Sequence, residues 1–224
     1  IATSSRLDVV VADHVVEVIQ ATGRAAVGVS VMGFLIGDRT LIVGDTAGGV
    51  TSWQLLRDAH GTFRLRRIHN FTPHAAAVAA FVPSQRDKGF ITADASGTTH
   101  LHYGTTGATL LTVNADGTEV RNVAFAPKGD GFLAADAAGR VSEWRLRNPH
   151  PEITLLSLFG KVWYEGYEQP EYVWQSTGGT DDFEPKLSLV PLIIGSLKGT
   201  FYALLFSVPV ALLAALFSAN FLPP

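Results

Sequence analysis

Two histidines that lie two residues apart are the first candidates for metal chemistry. His100 and His102 share one face of a predicted strand, because side chains alternate along a strand. Imidazole nitrogens are common Zn²⁺ ligands, but no third ligand follows at a suitable spacing. His102 also fills a position that Trp53 and Trp144 fill in similar segments. Packing is therefore the favoured interpretation, a metal site is the alternative, and no metal or cofactor is predicted.

An acidic cluster and a basic cluster are the other groups that could do chemistry. Asp181, Asp182 and Glu184 lie beside Lys186, and paired carboxylates can act as general acid and base. No nucleophile accompanies them, so we predict a solvated loop. The basic cluster is split by strand alternation, which indicates a solvated face rather than an anion site. Its members are Arg64, Arg66 and Arg67. The sequence also contains no Gly-rich phosphate-binding motif, no GxSxG nucleophile elbow and no HExxH metalloprotease motif. We therefore predict no catalytic residue and do not expect the chain to be an enzyme.

Composition narrows the classes of protein further. The chain has 224 residues, of which 47% are hydrophobic and 17% charged, and its net charge of −3 gives no reason to expect nucleic-acid binding. It contains no cysteine, so disulfides and thiolate metal sites are excluded. It begins at Ile1 without a signal-peptide pattern, and we expect it to be an internal piece of a longer protein.

A repeat organises the first 150 residues. Each unit has an apolar strand that ends in Asp, a Gly three residues later, and a ring five residues after that Gly. Asp can accept backbone N–H groups in a turn and Gly supplies a positive φ, so each unit is predicted to be a β-hairpin. Residues 9–20 look like a further hairpin of the same kind. The repeated positions are Asp45, Gly48 and Trp53, then Asp94, Gly97 and His102, then Asp136, Gly139 and Trp144.

A period of about 40–50 residues with four short strands is typical of a β-propeller. The predicted fold class is therefore all-β, with a partial propeller of about 3–3.5 four-stranded blades over residues 1–150. A β-sandwich is the alternative, since periodic turns alone do not separate the two folds. Unpaired edge strands would make self-association plausible.

Residues 123–146 resemble a divergent WD repeat, with a strand, a Pro-x-Gly turn, a second strand and Gly-x-Val-x-x-Trp. The Asp that usually precedes the Gly of the repeat is replaced by Ala47, Ser96 and Ala138, and no Gly-His pair opens the units. The resemblance implies blade architecture. The departures predict that the Asp–His hydrogen-bond network of the family is absent.

The C-terminal end has the composition of a membrane-spanning helix. No charged residue occurs from Gly199 to Pro224, and about 20 apolar residues are enough to cross the hydrocarbon core. Pro209 is better tolerated in a membrane helix than in a soluble one. A buried core helix of a soluble domain is the alternative.

Five aromatic residues precede this helix, in a segment over residues 151–185 that we predict to be an aromatic and acidic juxtamembrane linker. One interpretation is an interfacial belt or a docking surface for a partner protein. The other, which we favour, is that the rings fold back and cover the open end of the propeller. The residues are Trp163, Tyr164, Tyr167, Tyr172 and Trp174.

From residue 158 onwards the chain resembles the permease family of phosphate ABC transporters (PstC type), in the branch with a domain inserted before the membrane core. The likeness is carried by residues 158–192 and by the helix GSLKGTFYALLFSVPVALLAALFSA (195–219). It implies that residues 186–224 hold the first helix of the permease core, in a bacterial inner membrane, with the propeller in the periplasm. It also implies a second permease subunit, a cytoplasmic ATPase and a periplasmic phosphate-binding protein as partners. A membrane-tethered scaffold is the alternative function, and a propeller enzyme is the least favoured.

Overall fold

The computed structural model describes residues 27–57, 61, 63–114, 119–147, 150–180 and 182–221. Over these ranges the chain is mostly β, with four antiparallel sheets and one long apolar helix at the C-terminal end. The described sheets do not close into a barrel. The hairpin predicted over residues 9–20 lies outside the described residues.

The first sheet contains β1 (Val29–Phe34), β2 (Thr40–Asp45), β3 (Val50–Arg57) and β4 (Phe63–Asn70), in that spatial order. Each strand pairs with the next one along the chain, so the sheet is a simple meander. Every residue of β2 is buried. A strand buried on both faces needs apolar residues without alternation, and the run Leu-Ile-Val provides them.

The second sheet repeats this arrangement with β5 (Val78–Pro83), β6 (Gly89–Asp94), β7 (Thr98–Tyr103) and β8 (Ala108–Asn114). Its second strand, β6, is again buried throughout. The third sheet contains β9 (Val120–Phe125), β10 (Gly131–Asp136) and β11 (Val141–Arg145). A fourth strand is not found beside β11 within the described part of the chain.

The sheets pack in series through their first strands. Strand β1 contacts β5, and β5 contacts β9. One cluster of buried side chains fills the space between the first two sheets and a second cluster fills the space between the second and third, so each sheet is covered by its neighbour. The clusters are Leu35, Ile42, Val50, Phe71, Val78 and Phe90, and then Ile91, Ala93, Leu101, Val120, Phe132 and Ala134.

The remaining elements follow the third sheet. A short helix, α1 (Leu155–Phe159), is followed by the two-stranded sheet of β12 (Trp174–Gln175) and β13 (Lys186–Leu187). The long helix α2 (Val190–Phe221) comes directly after β13. Its 32 residues correspond to about 48 Å of helix at 1.5 Å per residue.

Candidate functional site

The same turn joins the second and third strands of each large sheet. One carboxylate oxygen accepts two backbone N–H groups: Asp45 from Ala47 and Gly49, Asp94 from Ser96 and Thr98, and Asp136 from Ala138 and Arg140. The Gly three residues after each Asp has a positive φ, which is 85° at Gly48, 93° at Gly97 and 79° at Gly139. At Gly48 a Cβ would also lie only 2.3 Å from the carbonyl oxygen of His74, so the close contact with the loop between β4 and β5 requires glycine.

A buried polar network extends from this turn in the second sheet. His74, in the loop between β4 and β5, faces the Asp94 carboxylate, with Nδ1 3.3 Å from Oδ2. Its Nε2 lies 2.8 Å from the Thr92 hydroxyl, which in turn lies 2.9 Å from Nε2 of His102. Nδ1 of His102 lies 2.9 Å from the Thr109 hydroxyl. The network therefore links three strands of the sheet to the preceding loop.

The resemblance to WD repeats, together with its departures, predicts that such an Asp–His network is absent. This prediction is wrong in the second sheet. No Gly-His pair marks His74, because Pro73 precedes it. One local signal could have located the network: the type of residue two positions before each repeated Asp. This residue carries a hydroxyl group in the second unit, at Thr92, and is apolar in the other two, at Val43 and Ala134. A hydroxyl there can bond an imidazole, whereas Trp53 and Trp144 face apolar neighbours.

Hydrogen-bond chemistry allows one consistent direction through the network. The Asp94 carboxylate lies beside Nδ1 of His74, which favours a proton on Nδ1 and leaves Nε2 to accept from Thr92. The Thr92 oxygen then accepts from Nε2 of His102, whose Nδ1 accepts from Thr109. Burial lowers the pKa of His74 to about 4 and that of His102 to about 2, so both rings are neutral near pH 7.

Three neutral imidazoles, two in this network and that of His100 beside it, could in principle hold a metal ion. The nitrogen atoms of His74, His100 and His102 lie within 4.8 Å of one another, and all three residues are buried. His74 is the third ligand that the sequence pattern does not reveal. The ring of His100 stacks on that of His74, with centroids 4.1 Å apart. However, the hydroxyl of Thr92 already occupies the position between the two Nε2 atoms, so a metal would have to displace it. The geometry favours a hydrogen-bonded cross-link of the fold.

The stability of the sheets should fall as the pH drops from 6.5 to about 4. The folded histidines have a lower pKa than the unfolded ones, so the unfolded chain takes up more protons over this interval and unfolding is favoured. The urea midpoint, measured by tryptophan fluorescence on the full chain in detergent between pH 7.5 and 4, is expected to decrease steadily below 6.5. Burial raises the pKa of Glu184, which acts in the opposite direction.

The variant His102→Gln isolates the histidine contribution to this pH dependence. Glutamine can still donate and accept hydrogen bonds but does not titrate. The slope of the urea midpoint against pH should therefore be shallower than in the parent chain. An identical slope in the two proteins would contradict the assignment of acid sensitivity to this network.

Residues 160–188, which we call the cap segment, lie across one end of the first two sheets. Val162 and Glu171 form a β-bridge, and β12 pairs with β13, so the segment is folded back on itself. Nε1 of Trp163 donates to the carbonyl of Tyr167 at 2.7 Å. The Arg66 guanidinium lies 5.4 Å from the centre of the Trp163 ring, which joins the cap segment to β4.

The five aromatic residues singled out in the sequence all lie in the cap segment, but they differ in how far their side chains are exposed. Tyr164 is buried with 1% of its surface exposed, and Trp163 and Tyr167 are half-buried. Tyr172 and Trp174 are exposed by 41% and 42%. Tyr164 is thus closed to a partner, while the last two rings remain on the surface.

A buried ion pair fixes the cap segment to the sheets. The Lys88 ammonium lies 2.6 Å from the Glu165 carboxylate, with side chains exposed by 3% and 8%. Lys88 also donates to the carbonyl of Ile36, at 2.7 Å, and the hydroxyl of Thr40 donates to the other oxygen of Glu165, at 2.6 Å. The pair therefore connects the cap segment to both the first and the second sheet.

The acidic cluster does not form a uniformly solvated loop. Glu184 is buried, accepts from the hydroxyl of Thr105 and accepts the backbone N–H of Glu165. Lys186 is buried too, with its ammonium 5.0 Å from the Phe183 ring centre. The prediction of a solvated loop is therefore wrong for Glu184 and Lys186, because both side chains are buried and contact other parts of the fold. Asp182 is half-buried, and Asp181 lies outside the described residues.

Helix α2 contributes no side chain to the core of the domain. None of its residues is buried, and its side chains are predominantly apolar. By length and composition it is the one helix among the described residues that could cross a membrane. A water-soluble core helix would bury at least one face.

Comparisons with known proteins provide no family for this chain. No family model matches it, and no curated protein matches it. Two computationally designed proteins, Ika8 and Ika4, are similar in structure at 21% and 20% identity, both with a TM-score of 0.44. The likeness covers 53% of this chain and 33% of Ika8, and 54% of this chain and 67% of Ika4. This chain thus spans about a third of the length of Ika8.

Proposed function

We propose that this chain is part of a membrane transport subunit in which a β-propeller domain precedes the first helix of an importer permease core. The observation that carries the proposal is α2, a 32-residue apolar helix that buries no side chain against the sheets from which it emerges. Such a surface is stable in lipid and unfavourable in water. The resemblance of residues 158–219 to phosphate ABC transporter permeases supplies the transport class.

The three large sheets support the propeller part of this proposal. Each is a meander of adjacent antiparallel strands with the same Asp-Gly turn, and the first strands of successive sheets pack together. This is the arrangement expected of neighbouring WD-like blades around an axis. The domain would lie in the periplasm of a bacterial inner membrane and would recognise or regulate, with no catalysis of its own. ATP hydrolysis would belong to a cytoplasmic ATPase, alongside a second permease subunit and a periplasmic phosphate-binding protein.

A membrane-tethered scaffold is the second candidate function. It is favoured by the edge strand β11, where Val141 is 64% exposed and neighbouring Leu133 on β10 is 44% exposed. The backbone groups of an edge strand that pairs on one side only can bond to another chain, including a second copy. Recovery of a second permease and an ATPase with the detergent-extracted protein would favour transport. Recovery of neither, together with an unrelated partner bound at β11, would favour the scaffold.

Membrane insertion and topology of the full chain test the transport proposal directly. After expression in bacteria, the chain should stay in the membrane fraction during alkaline carbonate extraction. The variant Leu205→Arg should reduce this fraction, because a central Arg costs about 2.5–3.5 kcal/mol on insertion scales. Protease added to spheroplasts should cut the sheets. A chain released by carbonate, or sheets that are cut only after the inner membrane is broken, would contradict the proposal.

A further inference from the structure

We infer that an exposed apolar patch beside the start of α2 lies in the headgroup layer of the membrane and holds the β domain against the lipid surface. The inference rests on the proposed function only in requiring that α2 spans a bilayer. The patch consists of Ile153, Leu155, Leu156, Phe159, Tyr172 and Trp174, which are all exposed.

The short helix α1 turns three of these side chains outward. Its N-cap Thr154 accepts the backbone N–H of Ser157, and the Ser157 hydroxyl accepts the backbone N–H of Thr154, which closes a capping box. Ser157 is the buried residue of the helix. With this polar residue turned inward, Leu155, Leu156 and Phe159 are 50–79% exposed, which is the reverse of the usual burial pattern of a soluble domain.

Hydrogen bonds fix this patch at the start of the membrane-spanning helix. The backbone N–H of Leu189 donates to the carbonyl of Leu158 in α1, at 2.8 Å. The N–H of Ser188 donates to the carbonyl of Val173, between the two exposed aromatic residues, at 3.0 Å. Since α2 begins at Val190, both parts of the patch lie next to the point where the chain turns toward the bilayer.

The position of Lys198 on α2 places the start of this helix, and the patch beside it, at the depth of the lipid headgroups. A lysine stem extends about 6 Å and directs its ammonium toward the helix N-terminus, so the hydrocarbon boundary lies about four residues before it, near Ile194. Val190 is four residues further out, which is about 6 Å at 1.5 Å per residue. The headgroup layer on each side is about 5–7.5 Å thick, the difference between the full bilayer and its hydrocarbon core. The patch therefore lies within this layer.

The chemistry of the patch also suits lipid better than a protein partner. Trp and Tyr are enriched at membrane interfaces because their rings combine an apolar body with a polar edge. The ammonium of Lys161 lies 5.7 Å from the Tyr172 ring centre, where it can meet lipid phosphates. The hydrocarbon side chains of α1 supply the apolar contact, as in helices that lie in the interface plane.

Depth-dependent fluorescence quenching tests this inference on the full chain. The protein is reconstituted in vesicles of phosphatidylcholine and phosphatidylglycerol whose acyl chains carry bromine either near the headgroup or near the chain end. The quenching should be stronger with shallow bromine than with deep bromine. Trp174→Phe should remove most of it, whereas the matched control Trp163→Phe, which removes a half-buried ring of the cap segment, should leave it nearly unchanged.

Three results would overturn the inference, and each has a different meaning. Quenching of Trp174 by aqueous acrylamide but not by brominated lipid would place the patch in water. Protection from both quenchers would indicate a protein contact instead. Equal quenching from shallow and deep bromine would exclude the headgroup layer. In all three cases carbonate-resistant insertion of the same sample would leave the proposed function intact, whereas release by carbonate would contradict the proposed function itself.

Discussion

Replacing Lys88 by methionine should destabilise the β domain by about 3–5 kcal/mol, the usual effect of removing one partner of a buried ion pair. The Glu165 carboxylate would remain buried with the Thr40 hydroxyl as its remaining close partner, and the carbonyl of Ile36 would lose its donor. Methionine has a similar length and can fill the space, so the loss reflects the charge rather than a cavity. The measurement is urea unfolding of the full chain in detergent, followed by tryptophan fluorescence.

Two further variants show whether the ion pair is responsible. Lys88→Met combined with Glu165→Gln removes both charges and should recover part of the stability, because no isolated charge is then buried. Arg121→Met is the matched control, since Arg121 and Glu119 form an exposed pair at 3.8 Å, and should change stability by less than about 1 kcal/mol. If Lys88→Met were as mild as this control, the cap segment would not depend on the pair.

Replacing Thr92 by valine should destabilise the second sheet by about 2–6 kcal/mol. The substitution keeps the shape but removes the hydroxyl that joins His74 to His102. Two buried imidazole nitrogens would then lack a partner, and each such group costs about 1–3 kcal/mol. Urea unfolding monitored by circular dichroism of the full chain would measure the loss.

Thr92→Ser is the matched control, because it retains the hydroxyl and removes only a methyl group. Its effect should be about 1 kcal/mol, the usual consequence of deleting one buried methyl group. A second control is Val43→Thr in the first sheet, which creates the same residue where the neighbouring ring is Trp53 rather than an imidazole. If Thr92→Val were no more harmful than Thr92→Ser, the hydroxyl would not be the centre of the network.

Local patterns in the sequence predict the parts of the fold that depend on neighbouring residues. The Asp-to-Gly spacing at Asp45, Asp94 and Asp136 leads directly to the three turns, because each turn is closed within five residues. The apolar helix is equally local, since an uncharged run is visible without any tertiary information. The domain bounds, the repeat as a set of blades and the transport partners remain predictions.

Contacts between distant residues could not be predicted in the same way. Lys88 and Glu165 are 77 residues apart, and Thr105 and Glu184 are 79 residues apart. Acidic residues in a polar stretch indicate a solvated loop unless their partners are known, and the buried Glu184 is bonded to a threonine in the turn between β7 and β8. His74 was missed for a similar reason, because its partners lie 18 and 20 residues further along the chain on the strand and turn that it contacts.

The junction between β13 and α2 has a mechanical consequence. Only Ser188 and Leu189 separate the end of β13 from the start of the helix, and both backbone N–H groups are hydrogen-bonded to the cap segment and α1. The cap segment is in turn joined to two sheets by the Lys88–Glu165 pair. Because no hinge lies at this point, a tilt of the helix would tilt the cap segment and the sheets joined to it by the same angle. A movement of α2 within the bilayer and a movement of the sheets outside it would then be coupled.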